Sequence, residues 1–284
     1  MKVLQVNVSF DLIQSIRLLH ALMESDYKIF VPPEHTEKFS ELRKRFNINY
    51  VYDCPSENLL ILQKPHIEVL HHEPETRIGT LSRPLIFPHQ IFQYCQSLWA
   101  SNRQHKFTFS GLITASRRKI IEDWIKNRHL EAIEPLKIFD GQKKRGKISS
   151  RIQKLFLGAS RRDVVLQSED ILFWSSENGR KFPLKSWDNQ YFKLLANSEF
   201  TLCPDGDFVW TYRFFESAIC GAIPIIQNYT SVYEGFRFKM MEETTRDMVW
   251  SKEDAEHNFQ LCQERLTIPL NLMNDELGKL LAKV

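Results

Sequence analysis

The chain has 284 residues, 43 % of them apolar and 12 % aromatic, which suits one large domain or two moderate ones and excludes a disordered chain. Its formal net charge of +3 is too small to point to nucleic acid. No run approaches about 18 apolar residues, so no spanning helix is expected, and the five scattered cysteines, without a CxxC pair, fit reduced thiols better than disulfides or a zinc site.

The N-terminal MKVLQVNVSF reads as a strand, Lys2 to Val8, without a signal-peptide core, so a soluble, cytoplasmic protein is expected. Phe10 to Met23 has helical spacing through Leu12, Ile13, Ile16, Leu19 and Leu22. Tyr27 to Val31 is a strand stopped by Pro32-Pro33, and Thr36 to Phe46 a charged helix with Thr36 as its N-cap. Ile48 to Tyr52, Leu59 to Leu62 and Ile67 to Leu70 follow as strands. This βαβαβ rhythm predicts a parallel sheet covered by helices. Arg83 to His89 and Ile91 to Ala100 lead to a second unit. That unit holds a strand from Lys106 into Gly111, a helix over Arg117 to Lys126, and strands at Leu136 to Phe139 and Ile171 to Trp174. The basic stretch 143 to 162 reads as a solvated loop, as a patch for anionic lipid or polymer, or as a source of Arg161 and Arg162 for the cleft. Trp187 to Asn197 is a helix, and 252 to 282 is mainly helical.

Residues 197 to 226 carry the most information. Phe200, Leu202 and Cys203 form a strand, Pro204-Asp205-Gly206-Asp207 a turn, Thr211 to Cys220 a helix ended by Gly221, and Ile223 to Ile226 a buried strand. A helix start after a strand and a turn suits phosphate, because free N–H groups and the helix dipole point outward there. Arg213 adds donors for a diphosphate, and Glu216 an acceptor for ribose hydroxyls. The alternative is a plain βαβ unit with Arg213 and Glu216 as a solvated i, i+3 pair.

The order Cys203-Pro204, Gly206, Arg213, Glu216-Ser217-Ala218 and Gly221-Ala222-Ile223-Pro224 resembles the C-terminal signature of the exostosin-like glycosyltransferases. The likeness is good over the last third of the chain. It implies an α/β, GT-B fold: two Rossmann-like domains facing a central cleft. The boundaries would be 1–100 for the acceptor side and 101–265 for the nucleotide-sugar side. A helix at 266–284 would return to the first domain. One continuous doubly wound sheet is the alternative. The resemblance also implies an inverting enzyme that moves a sugar from a UDP-sugar, xylose first, to a glycan hydroxyl.

Such transfer needs a base for the acceptor hydroxyl and positive charge for the departing diphosphate. The expected base is Glu73, at the end of the strand before Pro74, with Glu75 and His72 as alternatives. Phe107 to Arg118 resembles a second exostosin-like segment and contributes Gly111, Ser116 and Arg118 to the donor site. Arg117 lies alongside. Pro204, Asp205, Gly206, Asp207, Arg213 and Glu216 complete it. Asp205 and Asp207 have Asp-x-Asp spacing, but a helix start after Cys-Pro is the wrong context for a metal motif, so no metal or other cofactor is expected. Trp174, Trp187, Trp210 and Tyr212 read as packing rather than stacking residues. Two other functions fit the pattern: a fucosyltransferase-like enzyme using a GDP-sugar, and a non-catalytic glycan- or nucleotide-binding scaffold.

Overall fold

The computed structural model describes residues 3–53, 59–70, 72–113, 115–127, 162–167, 171–176 and 186–282. The expected strand at Leu136 to Phe139, Arg161 and nearly all of the basic stretch lie outside these residues.

The architecture is mixed α/β with two parallel sheets. The first takes the order β3-β2-β1-β4 from β1 (Val3–Val6), β2 (Lys28–Phe30), β3 (Tyr50–Val51) and β4 (Leu59–Leu62), all parallel. Helix α1 (Ile13–Leu22) follows β1 and is buried along its whole length. The helix expected over Thr36 to Phe46 is different in kind. A 3-10 helix over Pro33–Phe39 precedes a single α-turn, α2 (Ser40–Arg43). Pro33 occupies the first helical position, where its fixed φ and missing N–H are best tolerated. Thr36 therefore lies inside the helix, with its hydroxyl bonded to the Pro33 carbonyl at 2.8 Å rather than acting as a cap.

Ile67 to Leu70 was expected in the parallel sheet, but it begins an antiparallel meander. Strands β5 (Ile67–Leu70), β6 (Glu75–Ile78) and β7 (Leu81–Arg83) form this separate sheet. A parallel neighbour needs a long crossover, whereas the short His72-Glu73-Pro74 turn permits only reversal.

Helix α3 (His89–Ser97) leads to the second parallel sheet. Its order is β13-β12-β11-β8-β10-β9. The strands are β8 (His105–Gly111), β9 (Arg162–Gln167), β10 (Ile171–Ser176), β11 (Ser198–Cys203), β12 (Ile223–Ile226) and β13 (Lys239–Met240). Only β9 runs antiparallel to its neighbour. Helix α4 (Ala115–Asn127) follows β8, α5 (Asn189–Ala196) precedes β11, and α6 (Tyr212–Ile219) joins β11 to β12. Helices α7 (Lys252–Leu266) and α8 (Leu270–Leu281) close the chain.

Phe107, Phe109, Phe173, Phe200 and Leu202 pack with Ile121 and Trp124 of α4. The other apolar cluster runs from Leu4 and Leu19, in the first sheet's layer, to Phe214, Phe215 and Ile219 of α6, so α1 and α6 share one core. Gly221, at φ +76°, ends α6, with Gly221 N–H bonded to the Ala218 carbonyl and Ala222 N–H to that of Ser217. This left-handed cap accommodates glycine best. Helix α8 lies against the first half: Asn274 exchanges hydrogen bonds with Asp26, and Glu276 accepts the Thr80 N–H.

Candidate functional site

Strand β8 has β10 on one side and β11 on the other. The chain reaches β10 first, then returns through α5 to β11. Connections therefore diverge at the β8/β11 pair. In open α/β sheets a crevice forms at the C-terminal ends of such a pair, and ligands bind there.

The crevice is lined by the ends of three strands. Arg213, from the first turn of α6, is 6 % exposed. Its Nε donates to the Ser110 carbonyl at 3.0 Å, and its guanidinium lies 4.4 Å from the Phe109 ring centroid. It crosses directly over Gly111, where a Cβ would stand 2.1 Å from Nη2. Glycine is required there for close approach, not for an unusual φ. Among the described residues, neither terminal nitrogen of Arg213 makes a hydrogen bond or ion pair. Burial, as the leading cause, pushes the adjacent Cys203 thiol up to about 12, so it supplies no counter-ion.

Arg117 braces the two loops. Its Nε donates to the Asp205 carbonyl at 3.0 Å and its Nη1 to the Leu112 carbonyl at 2.8 Å. The loop after β12 joins them, through Asn228 Nδ2 to Asp205 Oδ2 at 2.6 Å and Gln227 Oε1 accepting from the Asp205 N–H at 3.3 Å. Burial raises the Asp205 carboxyl above its usual range. Arg118 is half-buried and Ser116 exposed, both in the first turn of α4. Pro204 is buried, and Gly206 and Asp207 are exposed.

The turn and the helix start are separate features. Residues 207–210 bend between them, and α6 begins only at Tyr212. Thr211 caps the Phe214 N–H with its hydroxyl, and its own N–H bonds Tyr233 Oη at 2.8 Å. Thr211 and Tyr212 are buried. The amides of α6 are therefore less open than a turn running straight into a helix would leave them.

Glu216 lies one turn into α6. Its Oε1 pairs with Arg17 of α1, and its Oε2 accepts the Tyr191 hydroxyl of α5 at 2.6 Å. Sequence reasoning did not find Arg17 or Tyr191. Arg17 is 199 positions from Glu216, and no local spacing signals that pair.

Glu73 is exposed in the turn between β5 and β6. It was expected at the C-terminal edge of a parallel sheet, but it lies in a hairpin turn. That turn nevertheless meets the segment beyond the Asp205 loop. Trp210 Nε1 donates to the His72 carbonyl at 3.3 Å, and the His72 and Phe208 rings meet edge to face at 5.2 Å. Glu75 is bound by Ser82 at 2.8 Å and Arg77 at 2.9 Å, and these bonds hold its carboxyl below the usual range. The aromatic residues pack: Trp187 stacks on Phe192 at 4.2 Å, and Trp210 and Tyr212 meet edge to face. Among the described residues, no three His, Cys, Asp or Glu side chains form a cluster fit for a metal. No described helix is long and apolar enough to cross a membrane.

The Exostosin GT47 domain family model matches residues 76–233, more than half of the chain. The chain belongs to this family. It is therefore a glycosyltransferase. The match runs from Thr76, the second residue of β6, to Tyr233 and takes in both β8 and β11, reaching well before the C-terminal signature. Glu73 and Glu75 lie just outside it. Comparison with curated proteins found no significant match.

Proposed function

We propose that this exostosin-family enzyme binds a nucleotide sugar at the β8/β11 crevice and transfers the sugar, with inversion, to a glycan hydroxyl. One observation carries the reading: Arg213 is a buried cation whose inner nitrogen is anchored and whose outer two nitrogens lack partners among the described residues. A buried guanidinium without a carboxylate calls for an anion, and its fork suits a diphosphate. Arg118, near the brace made by Arg117, is the second phosphate ligand. Gly111 and Gly206 leave room for the guanidinium groups of Arg213 and Arg117, and Ser116, Pro204, Asp205 and Asp207 shape the loops around the diphosphate. Glu216 receives the ribose hydroxyls. The two parallel sheets are the two lobes of a GT-B transferase.

Glu73 takes the acceptor proton. Its turn packs on residues 208–210, which brings the first half of the chain to the donor loop. Glu75 suits this role less well, because Ser82 and Arg77 already occupy its carboxylate and weaken it as a base. In-line attack at the anomeric carbon forms the new glycosidic bond as the bond to diphosphate breaks, with the proton passing to Glu73. Guanidinium charge at the leaving group lets the step proceed without a divalent ion.

Calorimetry with UDP and GDP, followed by assays of nucleotide release from UDP-sugars with a glycan panel, tests the reading. UDP binding that weakens in Arg213→Ala, with acceptor-dependent release from a UDP-sugar (UDP-xylose tried first), is the expected result. Binding of neither nucleotide would remove the proposed site.

A further inference from the structure

A groove of about 550 Å³ opens on the first half of the chain. Small-molecule sites span about 300–1,000 Å³, so a sugar unit fits it. The groove lies past the carboxyl ends of β2 and β3, since its lining includes Pro33, just beyond β2, and Tyr52, just beyond β3. Ligands of open α/β sheets bind at that end of the strands. The strand order reverses at β1/β4 instead, so this is not where the fold takes a nucleotide.

Glu37 of the 3-10 helix, and Ser40 and Arg43 of α2, line the groove with Tyr50 and Tyr52. The two tyrosines are two positions apart in extended chain, which puts them on one face. The helical segment is pinned. Phe39 is fully buried, with its ring 5.6 Å from that of Tyr50. His35 stacks on Phe10 at 4.1 Å, and Lys38 donates to the Phe10 carbonyl at 3.2 Å and to Asp11 at 2.9 Å. The groove therefore has its shape before anything enters it. Tyr52 is 56 % exposed. The Arg43 guanidinium lies 5.5 Å from the Tyr50 ring centroid. Among the described residues, the side chains of Glu37, Ser40 and Arg43 make no hydrogen bond or ion pair.

Charge does not select an anion here. Lys44, also in the lining, is paired with Glu41 at 2.6 Å, and Glu37 offsets Arg43. What remains is an exposed aromatic ring beside the donors of Arg43, the acceptors of Glu37 and a Ser40 hydroxyl that does both. A neutral sugar has the matching surfaces: its ring offers an apolar C–H face, and its rim carries hydroxyls. We propose that the groove binds one unit of a neutral glycan chain, with the C–H face on Tyr52 and the hydroxyls shared by Arg43, Ser40 and Glu37. The chain is a glycosyltransferase, so saccharides are what it meets. None of these residues belongs to the β8/β11 crevice or to the Glu73 turn. The groove is a second saccharide site, which retains a long glycan by added contact and takes no part in transfer.

Saturation-transfer NMR and calorimetry on the intact chain, with neutral hexasaccharides of glucose, xylose, mannose and galactose at up to about 10 mM, test the site. At least one should bind. Tyr52→Ala and Arg43→Ala should each weaken that binding about fivefold or more, while Tyr52→Phe, which keeps the ring, should retain it. Both residues are exposed, so the melting temperature should not change. Binding of none of the four, or binding that survives both alanine substitutions, overturns the proposal. A hexasaccharide of uronic acids held more tightly at the same residues also overturns it, because the groove would then be an anion site. The assay reads saccharide binding alone, so its failure leaves nucleotide binding at the β8/β11 crevice a separate question.

Discussion

Gly111→Ala displaces a guanidinium without deleting a charge. A Cβ at this position would stand 2.1 Å from Nη2 of Arg213 and 3.3 Å from its Cζ. Both atoms belong to the far end of a flexible side chain, so the side chain gives way before the strand does. In moving, it loses the 3.0 Å bond to Ser110 and its place over the Phe109 ring. The terminal nitrogens then no longer meet a diphosphate between β8 and β11. A charged hydrogen bond contributes about 1.5–3 kcal/mol, so the dissociation constant for UDP should rise roughly 10- to 150-fold. Arg213→Ala should weaken binding at least as much. Because both substitutions act through one guanidinium, they should not add, and the double variant should match Arg213→Ala within about 0.5 kcal/mol. Calorimetry measures the binding, and thermal melting checks that Gly111→Ala remains folded. Wild-type UDP affinity in Gly111→Ala, or full additivity in the double variant, would refute the argument.

Three further outcomes follow from the structure. Glu73→Gln should abolish sugar transfer while UDP binding persists, and Glu75→Gln should retain most activity; the reverse order, seen in initial rates, would move the base to Glu75. Burial first, then the nearby Arg17 charge, holds the His20 imidazole down at about 3, whereas the unfolded chain titrates near 6.5. Between these values the unfolded state binds a proton that the folded state refuses, so stability falls by roughly 1.4 kcal/mol per pH unit as pH drops from 6.5 towards 3. His20→Leu should flatten that slope in urea titrations at several pH values, with little loss at neutral pH, since neither ring nitrogen has a hydrogen-bond partner. An unchanged slope would assign the acid sensitivity elsewhere. Arg103 is buried and donates to the carbonyls of Ala196 at 2.8 Å and Ser198 at 2.7 Å, with longer bonds to Cys220. It closes the C-terminal ends of α5 and α6, so Arg103→Met should lower unfolding free energy by about 3–5 kcal/mol. A loss below about 1 kcal/mol would mean that water replaces the guanidinium.

In the second sheet β11 and β12 were legible because they are apolar runs set between turn residues, Phe200 to Cys203 and Ile223 to Ile226, whereas the edge strands β9 and β13 carry shorter apolar runs and were not expected. The β6 strand was not, since Glu-Thr-Arg-Ile reads as a polar loop until its partners are known. The Pro32-Pro33 pair reads in sequence as a strand stop, although proline also starts helices, as Pro33 does here. At the site, the signature placed Arg213 and Glu216 correctly on α6, but their surroundings depend on long-range packing. Arg117 could have been recognised as the inward arginine. It lies four and seven positions before Ile121 and Trp124, on the stripe that α4 buries. Arg17 carried no such mark: an arginine in an apolar helix is ambiguous until a second helix, far along the chain, presents a carboxylate.

A crystal structure of the complex with UDP addresses the anion site directly. A diphosphate oxygen should lie within about 3.2 Å of a terminal nitrogen of Arg213, between the ends of β8 and β11. Nucleotide seated elsewhere, or an Arg213 side chain turned from the phosphates, would contradict it.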